Sequence, residues 1–435
     1  MQLLIGLLAV VLGSVDGASS ERTAVDEAAR HLHVKSARIM DWPGSGPVRV
    51  RSPEEIRRGP AAPFRFGPEE EIYCDFRPRL NRGGNPKFRC YLMNGPKDKG
   101  GLYYDQFANL QPRVDEVDPK QGILMERNED GVLVPLTFRQ GLKSVTLRPF
   151  EIKVKYRRLK RPDRVGERDM YTEVAATRLL WALYYPVDRM YRVKSVQCYR
   201  CPQNPYRFHT TRRHNQFVTF TEAAVELKYR ADEVKPAEPL YDGGWSWEEL
   251  HRLRHAPGAE GFTAEQRRRV DGLVVLMGLV RHTSSLPSQN RLVCTSNRVQ
   301  RVGQYMKFCP DTTILVHDLG ATFGKSDAES LRTWREHRVW TEPESCRSIA
   351  FKTGEGRRQH FEISRAGQLF ILDLLDQLSD DHLRAIFESA KFERYDRSLV
   401  PRIMTPEAGE RIIEQWIDAF KDKVEEIRSV RCADR

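Results

Sequence analysis

Lys155 in IKVKY, Glu173 in DMYTEVAATRLLWAL and Asp318 in TILVHDLGATFG are the residues of this 435-residue chain whose types and order could do chemistry. Moving a phosphoryl group requires a cation on the phosphates, carboxylate or amide ligands for Mg²⁺, and a group that orients the attacking hydroxyl. Strand alternation in IKVKY puts Lys153 and Lys155 on one face and Val154 on the other, and Lys155 is the expected phosphate lysine. Glu173 follows 18 residues later on an expected helix, close enough for an ion pair that holds the lysine head toward phosphates. Asp318 closes a buried-looking strand and precedes Gly320 and Gly324, which suits a metal-binding carboxylate delivered to a cleft. Upstream, Gly83 and Gly84 in RGGNPKFRC precede a strand where bare backbone could approach phosphates, although Gly-Gly beside Asn-Pro more often makes only a turn.

Between these parts lies RHTSSLPSQNRLVC, residues 281–294. His282 and Pro287 fall where a kinase catalytic loop of the form H-x-D-x-K-P-x-N has its histidine and proline. Ser284 stands for the catalytic Asp, Leu286 for the Lys and Gln289 for the metal-binding Asn; Asn290, one place later, could substitute as a ligand. A serine hydroxyl cannot take a proton at neutral pH as a carboxylate does, and losing a general base costs about 10²- to 10⁴-fold. Positioning and Mg²⁺ do much of the work in phosphoryl transfer, so residual activity is compatible with this loop. His282 or His317 could accept the proton instead, but a histidine in either place more often orients the loop.

The elements that must position these residues divide the chain unevenly. Residues 19–70, rich in Pro, Gly and Arg, read as a mostly irregular arm. From 71 to about 156 the signals are those of an antiparallel sheet, including KFRCYLM, GILMERNEDGVLVPL with its Asp-Gly turn, and VTLRPFEIKVKY. A helix is expected over 169–184, stopped by Pro186, with two strands after it. Residues 232–244 read as a linker, and 245–435 as a mainly helical half in which Ile413, Trp416, Ile417, Phe420, Val424 and Ile427 form one apolar core stripe. The implied organisation is a β-rich part over 71–231, carrying an insertion at 96–150, joined to a helical part over 245–435. That is an α+β chain laid out like a two-lobed kinase.

Composition bounds the setting. With 40% hydrophobic residues the chain can fill two cores, which excludes a disordered protein. The net charge of +11 suits anionic partners such as nucleotides, but interspersed acids and the lack of an aromatic-rich basic repeat argue against nucleic acid. MQLLIGLLAVVLGSVDG reads as a signal peptide cut near residue 18, placing the mature chain in the periplasm or outside the cell. No later apolar stretch reaches 18 residues, so the mature form is not expected to be an integral membrane protein. Eight cysteines permit disulfides without fixing their pairing; Cys198 and Cys201 have the spacing of half a zinc site, but a local disulfide or plain thiols fit better in the absence of a second half.

Several stretches resemble a group of bacterial kinase-like proteins related in layout to the secretory-pathway and HipA-type atypical kinases. They are NPKFRC, KVKY, EVAATRLLWAL, DRMYRVKSVQCYRCP, NRLVC, HDLGATFG and ISRAGQLFILDLLDQLSDDHLRAIFESAKF, spread over roughly 83–395. Two departures stand out. In the group a short turn joins the glycine strand to the lysine strand, whereas 56 residues separate Gly95 from Ile152 here. The group's loop reads like H-x-D-N-K-x-E-N-Q-R-L-V-C, so Ser284, Leu286 and Gln289 are substitutions in a recognisable loop. The resemblance implies a kinase-like fold with ATP and Mg²⁺ as cofactors, Lys155 and Glu173 serving the nucleotide and Asp318 the metal. It implies no catalytic base. The expected function is therefore an exported pseudokinase or weak phosphotransferase acting with a protein substrate or partner; the alternatives are an active atypical kinase with a rearranged base, or a non-nucleotide interaction protein that keeps the fold.

Overall fold

The computed structural model describes residues 30–60, 63–79, 85–111, 116–118, 121–140, 143–157, 168–207, 216–229, 232–234, 244–282, 286–295, 300–302, 306–309, 311–324, 329–348, 351–352 and 358–434. The expected signal peptide lies outside them. Strand alternation builds a seven-stranded mixed sheet from β1 (Glu71–Arg77), β2 (Lys87–Met93), β3 (Glu151–Tyr156), β4 (Arg189–Val193), β5 (Ser195–Tyr199), β6 (Phe217–Phe220) and β7 (Ala223–Leu227). Their spatial order is β6-β5-β1-β2-β3-β7-β4. β1 runs parallel to β5, and the other neighbours pair antiparallel.

The register gives this sheet two unlike faces. Lys87 lies opposite Lys155 and Arg89 opposite Lys153 across β2 and β3, while Glu226 on β7 lies opposite Lys153 on its other side. Directly opposed residues share a face, so these charged groups line one surface. The alternate residues Phe88, Cys90, Ile152, Val154 and Val225 line the other and are buried with Phe66, Phe150 and Tyr191. Burying each of these large side chains stabilises the fold by roughly 1.5–3 kcal/mol, which fixes the register and with it the position of every charge opposite.

The chain's other elements close on the charged face. α1 (Pro53–Arg58) lies in the arm, and α2 (Asp169–Ala182) is apolar nearly all round and buried at every residue except Trp181. α2 stops two residues before the expected 184: Tyr184 takes the left-handed φ of 63° and Pro186 then bars continuation. The helical part contributes α3 (Trp247–His255), α4 (Ala264–Leu279), α5 (Ser330–Glu336), α6 (Arg365–Leu375), α7 (Asp380–Ser389) and α8 (Pro406–Ser429). Ser246 with Glu249, and Thr263 with Gln266, form capping boxes that start α3 and α4. The expected stripe of α8 is buried, with Trp416 stacked on Trp334 at 5.5 Å. A second sheet of three strands, β8 (Asp232–Glu233), β9 (Asn290–Cys294) and β10 (Thr312–Val316), crosses this part, so 232–233 within the expected linker is strand.

Two segments differ in character from the sequence reading. In the arm, Val34, Ala37, Ile39, Met40, Val48 and Ile56 are buried in the same core as α2 and the helical part. Its backbone is stitched to distant elements, Arg38 N donating to Thr312 O at 2.8 Å and Asp41 N to Tyr184 O at 2.8 Å. Such scattered apolar residues show no period because their partners lie far away in sequence. The 96–150 insertion carries small sheets of its own and a satellite core of Tyr91, Met93, Tyr103, Val117, Leu124 and Leu147. Its Asp130-Gly131 turn is present, with Gly131 at φ 75°.

All eight cysteines are paired: Cys74–Cys90, Cys198–Cys201, Cys294–Cys309 and Cys346–Cys432. Cys198 and Cys201 thus form the local disulfide. Among the described residues no helix is long and apolar enough to cross a membrane. Cross-links restrict the unfolded chain more when they close longer loops. Removing Cys346–Cys432, with its sequence separation of 86, through the double serine variant should cost about 4 kcal/mol in urea unfolding, against about 2 kcal/mol for Cys198–Cys201, whose separation is 3.

Candidate functional site

β3 delivers Lys155 to the charged face and α2 lays Glu173 over it, and the two form a buried ion pair with side chains 3% exposed. The third member arrives from β10. Its last residue, Val316, pairs with Asn290 in β9, and the chain then turns at Asp318, which takes the left-handed φ of 57°. Asp318 Oδ1 lies 3.7 Å from Lys155 Nζ, and the Asp318 side chain is 35% exposed, so this carboxylate is the member of the trio open to a ligand. Lys155, Glu173 and Asp318 therefore converge.

The turn carrying Asp318 is fixed from several sides. Thr172 Oγ1 on α2 donates to Gly320 O at 2.6 Å, and Phe323 N donates to Val280 O at 2.8 Å beyond the end of α4. Gly324 has φ 86°, and a Cβ there would meet Ser330 O at 2.2 Å, so this glycine is required by both backbone and space. His282 is fully buried just after α4, its Nε2 3.3 Å from Asp318 O. Burial pushes the His282 imidazole down to about 4, so at neutral pH the uncharged ring donates from Nε2 and orients the turn. A group so buried and so weakly basic is a positioning residue.

Gln289, at the end of the short turn Pro287–Gln289, donates from Nε2 to Asp318 Oδ2 at 3.2 Å, while its Oε1 accepts from Leu286 N at 2.9 Å. Asn290 is placed elsewhere. It is buried in β9, and its Nδ2 donates to Trp245 O at 3.3 Å, so Gln289 is the amide brought to Asp318. Gly83, Gly84 and Ser284 lie outside the described residues.

Burial opposes the charge on Lys155, but the Glu173 and Asp318 carboxylates outweigh it and hold the ammonium above the ordinary lysine range. Burial likewise raises Glu173 against the pull of Lys155, and a pair this close titrates as a unit. Asp318 is held well below the usual carboxylate range: burial would raise it, and Lys155, His317, Lys153 and Lys87 together overcome that.

Sequence reasoning missed Lys87. It projects from β2 onto the charged face opposite Lys155, and it makes no ion pair among the described residues. Burial, with Lys155 and Lys153 adding repulsion, pushes it down to about 8. The signal was present in NPKFRC, where alternation from Phe88 and Cys90 puts Lys87 and Arg89 on the face opposite the core. A second missed group is Asp188, Glu226 and His317, whose ligand atoms lie within 4.8 Å of one another. Two carboxylates and an imidazole suit a divalent cation. Here Glu226 is ion-paired to Lys153, and Asp188 to His317 and Arg291, so the cluster already works as a charge network joining the large sheet to β9 and β10.

The residues present fit a nucleotide with one metal ion. Lys155 and Lys87 offer cations to phosphates, and Asp318 offers a carboxylate beside them, as Mg²⁺ sites built largely on phosphates and water require. No family model matches this chain, and no curated protein matches it in sequence. Among solved structures it is similar to the crystal structure of a Helicobacter pylori proinflammatory kinase, CtkA, with a TM-score of 0.39 and 9% identity over 83% of this chain and 98% of that chain. A likeness of that size carries no argument about this protein.

Two outcomes follow from the charges. Lys155→Met leaves Glu173 and Asp318 facing each other without their shared cation and should lower unfolding stability by about 3–5 kcal/mol, part of which Glu173→Gln in the same chain restores. Lys87, whose folded value of about 8 lies below the ordinary 10.5, binds fewer protons folded than unfolded between those values, so its contribution makes stability rise with pH across that window. Acylation of Lys87 followed by mass spectrometry should show an apparent pKa near 8; an ordinary lysine profile would refute this placement.

Proposed function

We propose that the chain is an exported kinase-like protein of two lobes that binds ATP with Mg²⁺ between them and transfers phosphate weakly or not at all. The observation that carries this is the convergence of Lys155, Glu173 and Asp318, with Lys87, which makes no ion pair among the described residues, on the same face. Glu173 holds Lys155 in place, Lys155 and Lys87 receive the phosphates, and Asp318 holds the metal, with Gln289 steadying its second oxygen. Bound Mg²⁺ neutralises phosphate charge. Ser284, where a general base is expected, supplies no carboxylate, and the burial of His282 makes it unsuited to replace one. Eight cysteines paired as four disulfides support an oxidising compartment, periplasmic or extracellular. In this reading the protein acts through a protein partner or substrate.

One observation favours an active enzyme as the second reading. His317, next to Asp318, has its Nδ1 against the carboxylate of buried Asp188, the arrangement that orients an imidazole for proton transfer. Thermal melting of the mature protein tests both. ATP with Mg²⁺ at a hundredfold excess over its dissociation constant should stabilise the wild type by about 2.7 kcal/mol, raising the melting temperature by a few degrees, and leave Asp318→Ala unmoved. No shift in the wild type would overturn nucleotide binding and leave an interaction protein that keeps only the fold. Where the shift is present, phosphate release separates the two readings: the second requires turnover lost in His317→Ala, the first requires little turnover until Ser284→Asp is introduced.

A further inference from the structure

A cavity of about 530 Å³ lies near the opposite end of α2 from Glu173, between that helix's C-terminal turn, the start of β4 and the arm. Its size is that of a metabolite site. The wall is lined by Arg51, Arg58, Arg65 and Arg189 with Asp41 and Glu55, and of these cations Arg58 is ion-paired to Glu54 at 3.0 Å. Arg51 is held rigidly, its guanidinium 4.2 Å from the ring centre of Trp181 and 4.1 Å from that of Tyr184, with Nε donating to Trp181 O at 3.1 Å. Its nearest carboxylate, Glu55, is 4.0 Å away and half exposed. Arg65 makes no ion pair among the described residues.

A second, independent observation points the same way. Arg178 of α2 is 3% exposed, and its Nε and one terminal nitrogen have no hydrogen-bond partner. Among the described residues no carboxylate pairs with it; its neighbours are the Tyr191 ring at 5.1 Å and the field of Arg65. The guanidinium lies directly against Gly59 in the cavity wall, where a Cβ would fall 1.2 Å from it. A buried cation without a counter-charge is costly, and an anion bound on the far side of Gly59 would lower that cost through its field, without touching Arg178. Asp41, also in the wall, is part-exposed and offers the cavity a carboxylate acceptor.

We propose that this cavity is a second ligand site, for a small molecule that bears an oxyanion, phosphate or carboxylate, and a hydroxyl group. The oxyanion meets Arg51 and Arg65, and the hydroxyl donates to Asp41. Nothing in this depends on the cleft holding a nucleotide.

Isothermal titration of the full mature protein tests it, with glucose 6-phosphate, glucuronate and inorganic phosphate as probes and glucose at matched ionic strength as control. At least one of the two sugar anions should bind, more tightly than inorganic phosphate, and glucose should not; which one binds identifies the oxyanion. Arg65→Gln, at an exposed position that leaves folding intact, and Arg51→Gln should each weaken binding roughly tenfold, the loss of one charge-assisted contact. Saturating ATP with Mg²⁺ should leave the affinity unchanged. Failure of both sugar anions to bind below about 10 mM, binding indifferent to both arginine variants, or competition with ATP would each overturn the proposal. Inorganic phosphate binding as tightly as the sugar anions would remove the role given to Asp41.

Discussion

Burying Lys155 against Glu173 is the constraint on which the rest of this structure depends. Two charges withdrawn from water lose several kcal/mol of solvation each, and only close, well-aimed partners return it. That demand fixes the register of β3, because a slip of one residue would send Lys155 into the apolar face and Val154 toward the glutamate. It fixes α2 along its axis as well, since Glu173 must stand over one particular residue of the sheet. Asp318 then completes the balance from a separate strand.

The sheet works as a partition between two solvents. Phe88, Ile152, Val154 and Val225 on one side hold it by packing, which tolerates little movement. On the other side Lys87, Arg89, Lys153, Lys155 and Glu226 stand in a row, with Glu151, Glu173 and Asp318 brought against them. Lys153 and Arg89 find acids in Glu226 and Glu151, whereas Lys87 feels the repulsion of Lys155 and Lys153 more than the pull of Asp318 and Glu173.

Much of this was legible in the sequence because it rests on short-range pattern. The alternation of IKVKY, the stop at Pro186, the stripe of α8 and the turn at Asp130-Gly131 each follow from a few adjacent residues. Spacing suggested the pairing of Lys155 with Glu173, and the resemblance to kinase-like proteins implied that Asp318 joins them. What was not legible depends on contacts across the chain. The burial of the arm rests on residues such as Ile39 and Val48 that show no period, and the choice of Gln289 over Asn290 turns on strand pairing, which sends Asn290 toward Trp245. Lys87 was hidden for the same reason, since a lysine beginning a strand looks solvated until its neighbour across the sheet is another lysine.

α2 is enclosed on all sides. The sheet holds it through Glu173, the turn after Asp318 through Thr172, and the arm at its end, where Arg51 N donates to Ala182 O at 3.1 Å. A helix that swings must leave one flank wet, and this one has only Trp181 part-exposed. The Lys155–Glu173 pair is therefore built into the interior of the folded chain. Whatever reaches Lys155 must then meet a pair already in place, and it comes by way of Asp318, the part-exposed member of the trio.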